Sequence, residues 1–346
     1  MGDVMKKALE AAQSVGIFAL IICFIVFSVR AKAQALEGMK LCLNVIVPTL
    51  LPILILTNTI IKSSSRLFLE AVFSPLARLL RLPKCACCAL ILGLIGGYPT
   101  GAILSNELFN LHLIDSATAK RLLRCSFCGG MAFIITAVGT IHLNSTKTGI
   151  IIYTVNVLSS IIICVADGII HPSTNKSTQE CSIGSQSFCN ALINSIECST
   201  KSVAVMCGCI VFFSAICGLV SIPPFAMPLI EITNGIFKFD GSISLPYLCF
   251  FLSFGGLCIH LQILNVIKST GIGYIDFFVH RVVGGLISYF LGKGYILLFN
   301  PNTEVFSNIS QITPRLNQIN GSLSIILLAS CIVIVVDLNN KKSKLI

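Results

Sequence analysis

The sequence contains no tryptophan and few charged residues. Asp, Glu, Lys and Arg make up 11% of its 346 residues, whereas an ordinary soluble domain has roughly 25%. Hydrophobic residues account for 55% of the chain, and the mean hydropathy is +0.92. Apolar windows of about 20 residues, long enough to cross a bilayer, recur along the whole sequence. This composition excludes a soluble globular protein and predicts an all-α, polytopic transmembrane bundle whose first partner is the lipid bilayer.

Acidic residues are the scarcer of the two charge classes. The chain has 14 Asp and Glu against 24 Lys and Arg, which gives a net charge of +10. The basic residues concentrate in short connections, above all between Lys62 and Lys84, and in the tail from Lys341 to Lys344. Basic loops of this kind orient membrane helices and contact anionic headgroups. We therefore predict no nucleic-acid partner.

Motifs for catalysis or metal binding are missing from the sequence. Most of the 17 cysteines lie inside apolar windows, where they act as small hydrophobic residues. Cys125 and Cys128 have CxxC spacing, but no second pair completes a zinc set. The sequence has no HExxH, GxSxG or P-loop motif. These absences predict a protein that is not an enzyme and that has no cofactor and no metal site.

The apolar windows and the polar stretches between them predict one membrane domain in five consecutive parts. These are an N-terminal transmembrane helix and link (1–40), a first membrane half (41–170), a polar linker (171–202), a second membrane half (203–337) and a basic tail (338–346). Candidate membrane segments are 11–29, 41–61, 85–105, 125–142, 148–170, 203–227, 245–267, 277–299 and 322–337. The end of the linker is either an interfacial amphipathic helix or irregular chain.

Glycine doublets suggest that the two halves are related. Gly96-Gly97 and Gly255-Gly256 are each followed nine residues later by Asn, and a second pair of doublets follows an arginine in each half. The offset is about 155 to 159 residues. A repeat of this kind is typical of transporters built from two related halves, although glycine doublets are also common in membrane helices by chance.

Segments 85–105 and 245–267 are interrupted in their middles by glycine or proline, which weaken helices. We predict that they form re-entrant hairpins or broken helices. If 85–105 enters the membrane and returns, the basic loop 62–84 and the basic stretch from Lys120 to Arg124 share one side, as the positive-inside rule prefers. A kinked but continuous span is the alternative.

Unwound backbone at membrane depth must be buried in protein or line a wet cavity, because lipid offers it no hydrogen bonds. Helix N-termini exposed there would suit a carboxylate or phosphate. The candidate substrate-binding residues are therefore the interrupted segments and the polar residues beside them. They are Gly96, Gly97, Pro99, Thr100, Gly101 and Ser126 in the first half, and Glu231, Asn234, Ser253, Gly255, Gly256, His260 and Gln262 in the second.

Two of these candidates have alternative roles. Glu231, in a segment that follows several prolines, could coordinate a cation or cap a short helix. His260 could pass a proton near neutral pH, or it could be a structural hydrogen-bond partner inside the bundle.

Four stretches carry a family resemblance. They are the stretch Gly97 to Ala102, the stretch Phe133 to Gly139, the stretch Glu231 to Gly235, and the stretch Ser253 to Gln262. In this order they resemble the YlbJ-type sporulation integral membrane proteins, of the nucleoside-recognition or Gate membrane domain group. The resemblance implies a transporter-like fold, a role in endospore formation in the membrane surrounding the forespore, and dipicolinic acid as the cargo.

Together these observations predict a multi-pass permease in the cell membrane for a small anionic solute. A carrier for nucleosides or other metabolites with the same fold is one alternative. A membrane scaffold that assembles the spore envelope or cortex without transport is another. Whether the protein is a homo-oligomer stays open.

Overall fold

A computed structural model describes residues 2–171, 187–219, 222–239 and 243–299. The predicted span 322–337, the tail 338–346 and residues 172–186 of the polar linker lie outside these described residues. Within the described ranges the chain is helical and contains no β-strand. The fold is an all-α bundle.

The N-terminal part of the bundle contains helices α1 to α9 and two π-helical segments. In chain order these are α1 (Gly2–Val26), α2 (Ser28–Leu41), a π-helical turn (Cys42–Ile46), α3 (Val47–Lys62), α4 (Ser65–Val72), α5 (Ser74–Leu79), α6 (Lys84–Gly96), α7 (Tyr98–Asn110), α8 (Ser116–Cys125), a π-helix (Phe133–His142) and α9 (Thr146–Ile170).

The C-terminal part of the described chain contains six further α-helices and one short 3₁₀ turn (Pro224–Ala226). The helices are α10 (Phe188–Leu219), α11 (Met227–Ile230), α12 (Ile232–Phe237), α13 (Leu245–Phe254), α14 (Gly256–Thr270) and α15 (Tyr274–Phe299).

Within the described residues, five helical stretches are long and apolar enough to cross a membrane. They are Ser28–Lys62, Thr146–Ile170, Phe188–Leu219, Leu245–Leu264 and Tyr274–Phe299. Their outer faces present large apolar side chains, such as Val29 and Leu298, which are 82% and 81% exposed. Such faces are suited to acyl chains and unsuited to water. The prediction of a polytopic transmembrane bundle is confirmed.

The first interrupted segment is a helical hairpin. Helices α6 and α7 meet at Gly97, whose φ of 92° is a conformation that favours glycine. The two helices then fold back on each other so closely that a Cβ on Gly93 would lie 2.6 Å from the Cα of Gly101. The predicted re-entrant structure is confirmed for this segment.

The charge argument for this hairpin is also confirmed in its geometry. Arg121 on α8 donates a hydrogen bond of 2.7 Å from Nη1 to the carbonyl oxygen of Arg81, in the turn before α6. Lys62, at the end of α3, lies 3.5 Å from Glu107 near the end of α7. The basic loop and the basic stretch of α8 therefore share one side of the bundle.

The second interrupted segment is a broken helix and not a hairpin. Gly255 and Gly256 have φ values of 88° and 73°, and Gly255 ends α13 in the left-handed conformation. After this break α14 continues onward, so Leu245–Leu264 forms one span.

The order of elements is similar in the two parts of the described chain. The first part contains, in order, a hairpin (α6 and α7), an interrupted helix (α8 and the π-helix) and a long helix (α9). After α10, the second part contains a short hairpin (α11 and α12), an interrupted helix (α13 and α14) and a long helix (α15). The predicted repeat, which pairs Gly96-Gly97 with Gly255-Gly256, stays a prediction.

The helix predicted at 203–227 has different bounds. Helix α10 begins at Phe188 and ends at Leu219, so the end of the predicted linker is part of a long helix and not an interfacial one. Its Ser195 and Ser199 are fully buried, and Asn58 on α3 donates a hydrogen bond of 2.9 Å to the Ser199 hydroxyl. These polar residues face another helix and not a membrane surface.

The N-terminal part of the chain is more helical than predicted. The link assigned to residues 30–40 belongs to α2, which continues without interruption into α3. The predicted first span coincides with the apolar part of α1, from Glu10 to Val26.

Candidate functional site

The interruptions of the two halves meet inside the bundle. The tip of the α6–α7 hairpin contacts the segment that joins α8 to the π-helix, since a Cβ on Gly97 would lie 2.4 Å from the nitrogen of Gly130. The break at Gly255 faces the same hairpin tip, because a Cβ added to Gly255 would lie 2.9 Å from the ring of Phe127 and 3.1 Å from the ring of Tyr98. The Tyr98 hydroxyl also donates a hydrogen bond to the carbonyl of Leu252 on α13.

The short α11–α12 hairpin completes this junction. A Cβ on Gly256 would lie 2.9 Å from the carbonyl oxygen of Pro228 and 3.3 Å from the nitrogen of Ile232. Four stretches of irregular backbone, far apart in sequence, therefore pack against one another. At several of these contacts the residue is glycine, and a side chain would not fit. This packing satisfies the rule that such backbone is buried in protein or lines a cavity.

A small cavity of about 30 Å³, open on one side, lies at this junction. Its walls come from the long helix Ser28–Lys62, from both hairpins, from α10 and from α14. The segment that joins α8 to the π-helix also contributes. The lining residues are Ile46, Leu50, Gly96, Tyr98, Gly130, Phe133, Met206, Ile210, Ile232, Thr233, Ile259 and Gln262. The walls are mainly apolar and include no charged side chain among the residues that the structure describes.

Gln262 supplies a polar group to this cavity. Its Nε2 donates to the Cys258 sulfur at 3.5 Å, while its Oε1 is buried and has no hydrogen-bond partner within the described ranges. A buried amide oxygen without a partner is costly, so this atom is available to a bound solute. The predicted site residues Gly96 and Gln262 thus line the cavity.

Other candidates of the first half lie beside the cavity. Thr100 is fully buried against Gly96, and its hydroxyl has no partner among the described residues. Gly101 packs on the backbone of Ser126, whose carbonyl oxygen would lie 2.3 Å from a Cβ there. The Ser126 hydroxyl is used within its own helix, where it donates to the Leu122 carbonyl at 2.7 Å. Pro99 lies in the first turn of α7.

Glu231 is the N-cap of α12. Its two carboxylate oxygens accept hydrogen bonds from the backbone nitrogens of Thr233 (2.9 Å) and Asn234 (2.7 Å). The Asn234 side chain donates in turn to Ser214 on α10. This helix start is therefore already occupied by a carboxyl group of the protein itself, and the capping alternative is the one that the geometry realises.

Ser253 and His260 lie behind the cavity wall. Ser253 is 2% exposed and faces α15, since its hydroxyl would be 3.4 Å from a Cβ on Gly284. The His260 Nε2 lies 3.1 Å from the carbonyl oxygen of Phe254, and its ring packs between Phe254 and Phe277. This environment is that of a structural hydrogen-bond partner.

Arg281 is an important residue that the sequence did not single out as a site candidate. It is 1% exposed and reaches from α15 to the end of α8, where it donates to the carbonyls of Phe127 (3.0 Å) and Arg124. Its guanidinium also lies 4.5 Å from the centroid of the Phe127 ring. A basic residue inside the apolar window 277–299 was the signal that could have revealed it.

An ionic cluster holds α8, α9 and α15 together next to Arg281. Arg124 on α8 pairs with Asp167 on α9 at 2.9 Å and with Asp276 on α15 at 2.5 Å. Asp167, which the sequence placed near a segment end, is only 4% exposed, and Arg121 lies 3.8 Å from its second oxygen. The two arginines thus neutralise the two carboxylates at the rim of the bundle.

The fold and this junction define a class: a polytopic α-helical membrane protein built around helical hairpins and broken helices. Among curated proteins, the chain is similar to the sporulation integral membrane protein YlbJ of Bacillus subtilis (strain 168). The two are 21% identical over an alignment that covers 82% of this chain and 83% of that protein. This match confirms the resemblance predicted from the four stretches. No protein-family profile and no solved structure matches the chain.

Proposed function

We propose that this protein is a permease that moves a small planar metabolite across a membrane around the developing forespore. The observation that carries the proposal is the cavity at the meeting point of both hairpins and both interrupted helices. Discontinuous helices around a central cavity are the usual architecture of a transporter binding site. The link with sporulation rests on the similarity to YlbJ, which is described as a sporulation integral membrane protein.

The apolar walls suit an aromatic ring, and the polar atoms at one edge suit a polar substituent. Dipicolinic acid, the cargo that the family resemblance implies, has this shape. Its two carboxylates would lie near Thr233 and Gln262, and the buried charge of Arg281 behind Phe127 favours an anion in this region. We therefore propose a small aromatic anion as the solute.

A nucleoside is the second candidate, and one observation favours it. The free Oε1 of Gln262 is an acceptor, which a nucleoside can satisfy with a hydroxyl or amino group, whereas a dianion offers acceptors alone. Rotation of the amide by 180° would present Nε2 instead and would suit a carboxylate. The identity of the solute thus depends on which end of this side chain faces it.

Uptake into proteoliposomes tests both candidates. We expect flux of labelled dipicolinate above that of empty vesicles, and a rise in KM of about three- to tenfold for Gln262→Leu, which removes one hydrogen bond. The control variant is Leu261→Ala, since Leu261 is 46% exposed on the outer face of the same helix; its KM should be unchanged. Labelled uridine in the same vesicles separates the two solutes. Absence of flux for both would refute the permease and favour a scaffold.

A further inference from the structure

The connection between α3 and α6 exposes apolar side chains on helices that are too short to cross a membrane. Helix α4 has 8 residues and α5 has 6. Leu67, Phe68 and Val72 on α4 are 57%, 72% and 52% exposed, and Leu79 on α5 is 71% exposed. Water would disfavour such a surface, so it requires an apolar medium beside the bundle.

The same connection exposes positive charge. Arg78, Arg81 and Lys84 are all exposed, while the acidic residue of α4, Glu70, pairs with Arg66 at 2.8 Å. The exposed face therefore combines large apolar side chains with three basic side chains. We call this face, formed by Leu67, Phe68, Val72, Arg78, Leu79, Arg81 and Lys84, the α4–α5 collar.

The collar is held in place by the interior of the bundle. Buried Arg121 donates to the carbonyl oxygens of Leu80 and Arg81 and to that of Cys164 on α9. These bonds fix the turn after α5, where Arg81 has a φ of 51°. The collar joins the end of one span, at Lys62, to the start of the first hairpin, at Lys84. It therefore lies at the level where a span leaves the hydrocarbon region.

We propose that the α4–α5 collar is a binding surface for anionic phospholipids of the surrounding membrane. The basic side chains contact headgroup phosphates, and the apolar side chains enter the acyl region beneath them. An amphipathic basic segment of this composition is attracted to anionic lipid both by the burial of its apolar side chains and by the electrostatic attraction of its basic ones. An acidic segment of a partner protein would use the charges but would leave the apolar side chains facing water, so lipid is the occupant that the whole surface fits.

Lipid retention by the full-length protein tests the proposal. The protein is purified from vesicles containing equal amounts of phosphatidylglycerol and phosphatidylcholine, and the retained lipids are counted by native mass spectrometry. We expect preferential retention of phosphatidylglycerol. An Arg78→Gln, Arg81→Gln and Lys84→Gln variant should lose this preference by up to about a hundredfold at low salt, because each basic residue near an anionic surface contributes about fivefold.

Two further variants keep the test decisive. Lys147→Gln removes an exposed basic residue at the opposite end of α9 from Asp167 and should leave the preference unchanged. Arg78→Lys with Arg81→Lys preserves the charge and should retain it as well. The proposal is overturned if the wild type shows no preference for phosphatidylglycerol, or if the triple variant retains as much as the wild type. The latter result is also the one expected if the collar instead serves an acidic protein partner.

Discussion

Replacement of Gly97 by alanine tests whether the hairpin tip depends on backbone contact. Gly97 has φ 92° and ψ −168°, a region that is essentially restricted to glycine and costs other residues about 1–3 kcal/mol. The new Cβ would also lie 2.4 Å from the nitrogen of Gly130, so the joining segment must move. We expect a total loss of about 3 kcal/mol or more, equivalent to a drop of roughly 5–10 °C in the unfolding midpoint.

The chain has no tryptophan, so unfolding is best followed by circular dichroism and by a dye that reacts with buried thiols such as Cys88 and Cys128. The matched control is Gly208→Ala on α10, where a Cβ meets nothing within 4 Å. There the better helix propensity of alanine should leave the free energy of unfolding unchanged or raise it by about 1 kcal/mol. If Gly97→Ala unfolds at the same temperature as the wild type, the tip is not constrained as described.

Three further substitutions can be measured in the same thermal assay. Arg281→Met should destabilise the protein by about 3 kcal/mol, because it leaves two buried carbonyls without a charged donor, whereas Lys293→Met on the exposed face of α15 should have little effect. Asp167→Asn should lower the free energy of unfolding by about 3–5 kcal/mol, since it leaves buried Arg121 and Arg124 with less compensating charge. The control is Glu37→Gln at an exposed ion pair, and equal stability of the two variants would contradict this prediction. Glu231→Ala should cost about 1–2 kcal/mol by uncapping α12, and Glu231→Gln, which keeps an acceptor, should cost less.

The fold was largely predictable because its main determinants are local in sequence. Apolar windows identified the spans, and the run from Gly96 to Gly101, flanked by basic loops, identified a hairpin. The extent of α10 was not predictable in this way. Its early turns contain Ser195 and Ser199, which look like a linker until the contact of Ser199 with Asn58 is known. Helix-to-helix hydrogen bonds make such residues compatible with a membrane helix.

The candidate site was predictable in part for a similar reason. Glycines at a break are visible in the sequence, and so is an intramembrane residue such as Gln262. Which polar groups remain available to a solute is not visible, because this depends on partners elsewhere in the chain. Ser126 and Glu231 are satisfied by neighbouring backbone groups, whereas the Oε1 of Gln262 is not. Arg281 was missed because its partners are the carbonyls of Arg124 and Phe127, at the end of α8 and just after it, more than 150 positions earlier in the chain.

The double pairing of Arg124 has a mechanical consequence. Because the Arg124 guanidinium bridges a carboxylate on α9 and another on α15, pulling these two helices apart would leave one carboxylate without this partner. We therefore expect α8, α9 and α15 to behave as a rigid frame. In the proposed permease, any opening that lets a solute in or out would then fall to the hairpins, which meet the neighbouring backbone at Gly97 and Gly256.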